Sequence, residues 1–153
     1  MEIFIRKIAE RDAPAVAALC KQLGYDLSVQ QTQENITAVV ASKGHDAFVA
    51  ASENKVIGWI GLAQAIQIET SLYCEIRGLV VDEQYRNRGV GKLLVEEAKE
   101  WCRENGIKRL RLRCNMIRTE AHLFYQHLNF KEVKEQKVFE IETGYLAGVQ
   151  DTK

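Results

Sequence analysis

The stretch Cys74–Asn105 reads CEIRGLVVDEQYRNRGVGKLLVEEAKEWCREN, and the rest of the chain is read outward from it. An apolar strand, Ile76 to Val81, runs into a short polar loop that ends Arg86-Asn87-Arg88-Gly89-Val90-Gly91. A long amphipathic segment follows at once. A helix start presents unpaired backbone N–H groups and the positive end of the macrodipole. Glycines let such a backbone take φ > 0 and approach a ligand closely. Together they make an anion cradle suited to a phosphate or pyrophosphate, with Arg86, Arg88 and Lys92 adding charge around it. The alternative is a basic turn capping an ordinary helix.

Two phosphate loops are excluded by position. A Walker loop needs Gly where Arg86 stands and Ser or Thr where Leu93 stands; a dinucleotide fingerprint needs Gly where Leu94 stands. What remains is R-x-x-G-x-G.

The chain has 153 residues with balanced formal charge, 21 basic against 21 acidic, 46% hydrophobic and 27% charged. This is the composition of a single globular domain with a real core, here expected over 1–153 with 143–153 as a tail of uncertain structure. Nothing global argues for nucleic acid or an anionic membrane as partner. Cys20, Cys74, Cys102 and Cys114 form no CxxC pair and have no His at metal-ligand spacing, so they read as reduced structural residues, and no metal is expected. The N-terminus is too short and too charged for a signal peptide, and no apolar run is long enough for a membrane span; a cytoplasmic setting is expected.

Periodicity sets the elements. Ile3–Ile8 reads as a strand, followed by a helix capped by Asp12 and ended by Gly24. A second helix, capped by Ser28, runs to about Ser42. Ala47–Ala51, Lys55–Ile66 and Leu72–Val81 read as three neighbouring antiparallel strands, with a turn at Glu53-Asn54. Gly58 and Gly61 suggest a bulge or a close approach. The helix after the glycine loop stops at Asn105-Gly106, and Ile107–Cys114 is a strand. Strand, crossover helix, strand implies a parallel pair. Thr119–Leu128 is a short helix. Phe130–Lys134 and Lys137–Glu142 read as a closing hairpin. The order is that of a mixed-sheet α+β protein.

The R-x-x-G-x-G loop after Val80-Val81-Asp82 resembles the acetyl-CoA pyrophosphate loop, Q/R-x-x-G-x-G/A, of the GNAT N-acetyltransferase superfamily. Asn115 past the next strand and Arg118-Thr119-Glu120-Ala121-His122-Leu123-Phe124-Tyr125-Gln126-His127-Leu128-Asn129-Phe130 also resemble that family, the latter its R-x-E-A-H-x-F-Y-x-x-L-G-F segment. The similarity covers about residues 3–142 and is greatest to aminoglycoside-acetyltransferase-like members. Asn129 departs from the family Gly, but at a helix end that needs φ > 0 Asn is the next best residue.

The resemblance implies a GNAT fold. Its sheet would be mixed and mostly antiparallel, seven-stranded, with parallel, splayed fourth and fifth strands and four helices. It implies acetyl-CoA as cosubstrate. Leu79, Val80 and Val81 would offer backbone to the pantetheine arm, and Arg86, Asn87, Arg88, Gly89, Val90, Gly91 and Lys92 would hold the diphosphate. Asn115 would bond the arm. Tyr125 would be the general acid that protonates the departing thiolate; from the helix alone, with Phe124 and Leu128 beside it, it reads as a core aromatic. Glu75 is the candidate base, direct or through water; otherwise it is a strand carboxylate paired with Arg77 or the Arg109/Arg111/Arg113 row. His122 and His127 are bases by type only, His45 falls in a predicted turn with no assigned role, and Leu23-Gly24-Tyr25 would wall the acceptor.

The expected function is transfer of acetyl from acetyl-CoA to a primary amine of a small molecule by direct attack in a ternary complex. The alternatives are a protein lysine or N-terminal acetyltransferase, a non-catalytic CoA-binding regulatory module, and a nucleotide-binding domain of another kind. A homodimer is left open.

Overall fold

The computed structural model describes residues 1–114, 116 and 118–144. These divide into two compact units, Met1–Arg118 and one that begins at Thr119, and each is described by itself.

The first unit holds a five-stranded sheet in chain order: β1 (Phe4–Lys7), β2 (His45–Ser52), β3 (Lys55–Ala65), β4 (Tyr73–Val81) and β5 (Leu110–Leu112). The first four are antiparallel neighbours, and β4 and β5 run parallel. Three helices belong to this unit, α1 (Ala13–Lys21), α2 (Val29–Ala41) and α3 (Val90–Glu104). The parallel pair, the mixed sheet and the four helices counted with α4 (Thr119–His127) of the second unit are those of the GNAT fold expected from the sequence.

Local chemistry explains the punctuation. Glu53 and Asn54 take φ of 51° and 65°, a two-residue turn whose positive φ values match the twist of the flanking strands. Ser28 caps α2, its hydroxyl accepting from Gln31 N–H at 3.0 Å. Gly106 and Asn129 end their helices at φ 67° and 70°. Asp12 does not cap α1. It turns back to accept from Ala9 N–H at 2.8 Å and from both terminal nitrogens of Arg6 at 2.8 Å; a bidentate guanidinium outbids one helix N–H.

Two layers of helix enclose the sheet. Gly58 lies on the α3 face, where a Cβ would meet Val90 and Leu94 at 3.3 Å and the Val80 carbonyl at 2.9 Å. Here α3 seats Val90, Leu94, Val95 and Ala98, each at most 1% exposed. A full burial of each larger side chain contributes about 1.5–3 kcal/mol. Side chains alternate along a strand, so Val80, opposite Trp59, faces the other way. There it joins Ile8, Val16, Leu19, Ile36, Ala47, Val49 and Val56 under α1 and α2.

The sheet differs from expectation at its end. Among the described residues it has five strands rather than seven. Phe130–Lys134 and Lys137–Glu142 form no strand, and Val133, Val138, Phe139 and Ile141 are 74–87% exposed. Alternation alone does not make a strand, because an isolated hairpin without a third strand or a helix beneath it is marginal. The expected strand Ile107–Cys114 is shorter too, only Leu110–Leu112.

Candidate active site

The glycine loop is rooted by a buried carboxylate. Asp82, 7% exposed, accepts from Gln84 N–H at 3.0 Å, and Lys55 Nζ lies 3.9 Å from its other oxygen. Gln22 of α1 donates to Asp82 at 3.5 Å and accepts from Glu83 N–H at 3.0 Å. Tyr85 then stacks with Lys55 and Arg88, at 5.4 and 5.5 Å from its ring centre. Asn87 and Gly89 adopt left-handed φ of 62° and 82°, and this double reversal delivers the chain into α3. The first helical bond runs from Leu93 N–H to the Gly89 carbonyl at 3.0 Å. The amides of Val90, Gly91 and Lys92 precede it and have no acceptor within the helix. No carboxylate pairs with Arg86, Arg88 or Lys92 among the described residues. The loop thus offers amides, a helix dipole and cations to an anion.

Beside this loop, β4 and β5 part. They pair only from Cys74↔Leu110 to Ile76↔Leu112, while β3 stays with β4 as far as Val81. The edge of β4 from Arg77 to Val81 therefore has no β5 partner. Its polar groups can be assigned by direction. Asp82 N–H donates to Ile57 on β3 at 2.8 Å, so by the alternation of a strand Val81 and Leu79 N–H point to the open side. At the other end Cys74 N–H donates to the carbonyl of Arg109, the residue before β5, at 2.9 Å. The two parities agree only if β4 slips by one residue. It does so at Arg77, which has no partner between Gly61↔Gly78 and Leu62↔Ile76. Gly78 is needed there: a Cβ would sit 2.4 Å from the Trp59 ring.

Glu75 stands where the two strands still pair, opposite Arg111, and is 7% exposed. Its oxygens meet Arg77 Nε at 3.0 Å and Arg113 Nε at 3.5 Å. Glu75 is thus paired with two guanidiniums, and each of its oxygens keeps a second lone pair for a further donor. Arg109 and Arg111 lie over the Tyr73 ring at 5.3 and 4.7 Å.

Tyr125 lies on α4 in the second unit, with Phe124 and Phe130 edge-on to its ring at 5.2 and 5.7 Å. Asn115 lies outside the described residues. His45 accepts or donates at Ser42 Oγ, 2.7 Å away, at the start of β2. Tyr25 is exposed. The neighbouring Cys102 thiol and burial push the Cys74 thiol up, and the Cys74 thiol in turn holds Cys102 down. All four cysteines are free. No helix among the described residues is long and apolar enough to cross a membrane.

Residues the sequence reading missed are Gln22 and Tyr85, which fix the loop. Their signal was weak, because a Gln at a helix end and a Tyr in a turn acquire these roles only through tertiary contact.

The acetyltransferase (GNAT) family profile matches residues 8–130. The chain belongs to that family, and its enzyme class is acetyl-CoA-dependent N-acetyltransferase. It is 29% identical over 133 residues to an uncharacterized N-acetyltransferase of Chlorobaculum tepidum, covering 86% of this chain and 77% of that one. It is 27% identical over 130 residues to the aminoalkylphosphonate N-acetyltransferase of Salmonella typhimurium, covering 84% of each. It spans about half the length, 48%, of two human N-acetyltransferases that it also matches. Its fold superposes on aminoglycoside N-acetyltransferase AAC(6')-Iy, solved with a bisubstrate analogue joining CoA to acetylneamine. The TM-score is 0.82 at 18% identity, over 93% of this chain and 99% of that one.

Proposed function

We propose that the chain transfers the acetyl group of acetyl-CoA to a primary amine of a small molecule by direct attack in a ternary complex. The observation that carries this reading is the unpaired edge of β4 lying next to the glycine loop. Amides of Val90 to Lys92 would take the diphosphate, and Leu79 and Val81 would take the extended arm as an added strand. The Val81 N–H, aimed into the opening, would then donate to the thioester carbonyl oxygen and to the oxyanion formed from it.

A lysine-type ammonium has no lone pair and a pKa of about 10.4, so it must first lose a proton. Glu75, through its remaining lone pairs or through water, is the candidate acceptor. The amine nitrogen then bonds to the carbonyl carbon, the C–S bond breaks, and the thiolate takes a proton from Tyr125 to leave as CoA; the extra proton on the newly bonded nitrogen is released as the amide forms and restores the Tyr125 phenol through water. Asn115 is proposed to bond the arm.

Support for a small-molecule acceptor comes from the names of its relatives. One takes an aminoalkylphosphonate and one was captured with an aminoglycoside-derived analogue. The first is an anionic amine and the second a cationic one, so kinship does not choose between them.

Tyr125→Phe is the test. With thiol release as the assay, turnover falls by about 10²-fold or more, the usual worth of a positioned acid, while CoA affinity holds. Equal turnover in variant and parent removes Tyr125 from the mechanism. A chain that binds CoA yet releases no thiol with any amine is instead a regulatory CoA-binding module.

A further inference from the structure

We infer that the cavity at the Glu75 end of β4 recognises an oxyanion carried by the acceptor, so that the acceptor is a compact zwitterion with both an amine and a carboxylate or phosphonate. The inference rests on the acetyltransferase reading for what the amine does, but not for what the cavity binds.

The cavity measures about 250 Å³, and its polar lining includes Gln64, Gln67, Tyr73, Glu75, Arg77 and Arg113. Pockets for drug-sized ligands run from about 300 Å³ upward, so the group seated here is compact. Its charge is unbalanced. Glu75 is the sole carboxylate among the lining residues, against two guanidiniums. Arg111 of β5 and Arg109 just before it add two more, both over the ring of the lining residue Tyr73. The topology causes this clustering. The parallel register sets Arg111 opposite Glu75, and the residues flanking β5 complete the cluster, Arg113 reaching Glu75 and Arg109 the Tyr73 ring.

The donors are differently committed. Arg109 spends a terminal nitrogen on the Ser71 carbonyl and hydroxyl at 2.8 and 3.0 Å. Arg77 and Arg113 reach Glu75 through Nε alone, at 3.0 and 3.5 Å. No hydrogen bond among the described residues occupies their terminal nitrogens. Both side chains are more than half exposed, 61% and 64%, while the Glu75 side chain is 10% exposed. A guanidinium's terminal N–H fork fits two oxygens of a carboxylate or phosphonate. The arrangement therefore offers one buried carboxylate to an ammonium and two outward forks to an acid group beside it. A polycation would meet like charge on most sides.

The test uses the full chain with acetyl-CoA and thiol-release detection. The amines are β-alanine, 2-aminoethylphosphonate, the neutral 3-aminopropanamide, the polycation spermidine and a lysine peptide. The expected result is a kcat/KM for β-alanine or the phosphonate about tenfold or more above that for the amide. The ratio between those two separates carboxylate from phosphonate. Arg113→Gln, at an exposed position, should raise KM for the preferred acid about tenfold more than it changes KM for the amide, so that the preference for the acid collapses. Arg113→Lys should restore part of the loss.

Turnover of the amide, spermidine or the peptide at or above the acids overturns the inference and leaves the acetyltransferase reading standing. If no amine is acetylated, thermal shift of the CoA-loaded chain with β-alanine and with 2-aminoethylphosphonate decides. A rise in Tm that Arg113→Gln abolishes supports the anion site while the acetyltransferase reading falls. No rise overturns the inference.

Discussion

Replacing Gly89 by Ala isolates what the glycine contributes to the cradle. Gly89 sits at φ 82°, ψ 6°, and a Cβ built there meets no atom within 4 Å. Crowding is thus absent, and the whole cost is the left-handed backbone, about 1–2 kcal/mol for an L-residue. That strain has two outlets. If the loop keeps its shape, the fold bears the cost and Tm drops by about 2–8 °C, at about 2–4 °C per kcal/mol for a chain of this size. CoA affinity then holds. If the loop relaxes to negative φ, stability returns but the amides of Val90 to Lys92 are re-aimed. The same energy then appears as CoA binding about five- to thirty-fold weaker, since about 1.4 kcal/mol is tenfold. Urea denaturation and calorimetric titration with CoA on one preparation measure both outlets, and their sum should be about 1–2 kcal/mol. Gly89→Asn should cost less, because Asn87 already holds φ 62° in the same loop. If Gly89→Ala matches the parent in both stability and CoA affinity, the conformational account of this loop is wrong.

Gly78→Ala should lower stability by about 1–3 kcal/mol through overpacking, as its Cβ would lie 2.4 Å from the Trp59 ring. Combining it with Trp59→Leu should recover part of that loss in urea denaturation, and strict additivity would count against the contact. Asp12→Asn should destabilise the chain at pH 7 by about 1.5–3 kcal/mol, the worth of hydrogen bonds to a charged group. Burial pushes the Asp12 carboxyl up, but the bonds from Arg6 and Ala9 N–H and the charges of Arg6 and Arg11 outweigh it and hold it below its ordinary value. A carboxyl lowered in the fold stabilises it at every pH above the unfolded value of about 3.9, and loses that contribution as pH falls through the lower, folded value. The gap between parent and Asp12→Asn should therefore be full at pH 7 and close below about pH 4; a gap constant from pH 7 to 2 rules the ion pair out as its source.

What was legible in the chain was whatever short-range chemistry decides. The strand, loop and helix of Cys74–Asn105 could be read because an apolar run, two glycines and a helical stripe fall in immediate succession, and the turn at Glu53-Asn54 because Asn54 tolerates φ > 0. What was illegible depends on register. Counting by two from Ile76 through Gly78 to Val80 puts all three on one face. The slip at Arg77 sends Ile76 and Val80 to opposite faces and turns Leu79 and Val81 N–H outward together. Nothing in the residue pattern announces that slip, since it exists only as a mismatch between β3 and β4. Glu75 is a similar case: its partners were nameable from the sequence, but the choice among them waits on the parallel offset that sets Arg111 opposite and Arg113 within reach. The expected hairpin over Phe130–Glu142 failed in the reverse sense. Its apolar residues alternate only at Phe139 and Ile141, and even a regular pattern specifies a strand only where a partner edge receives it. The proposed site is therefore least readable where it is chemically most specific, because an opened sheet edge and a cluster of guanidiniums are both made by how strands align, and alignment is a property of pairs.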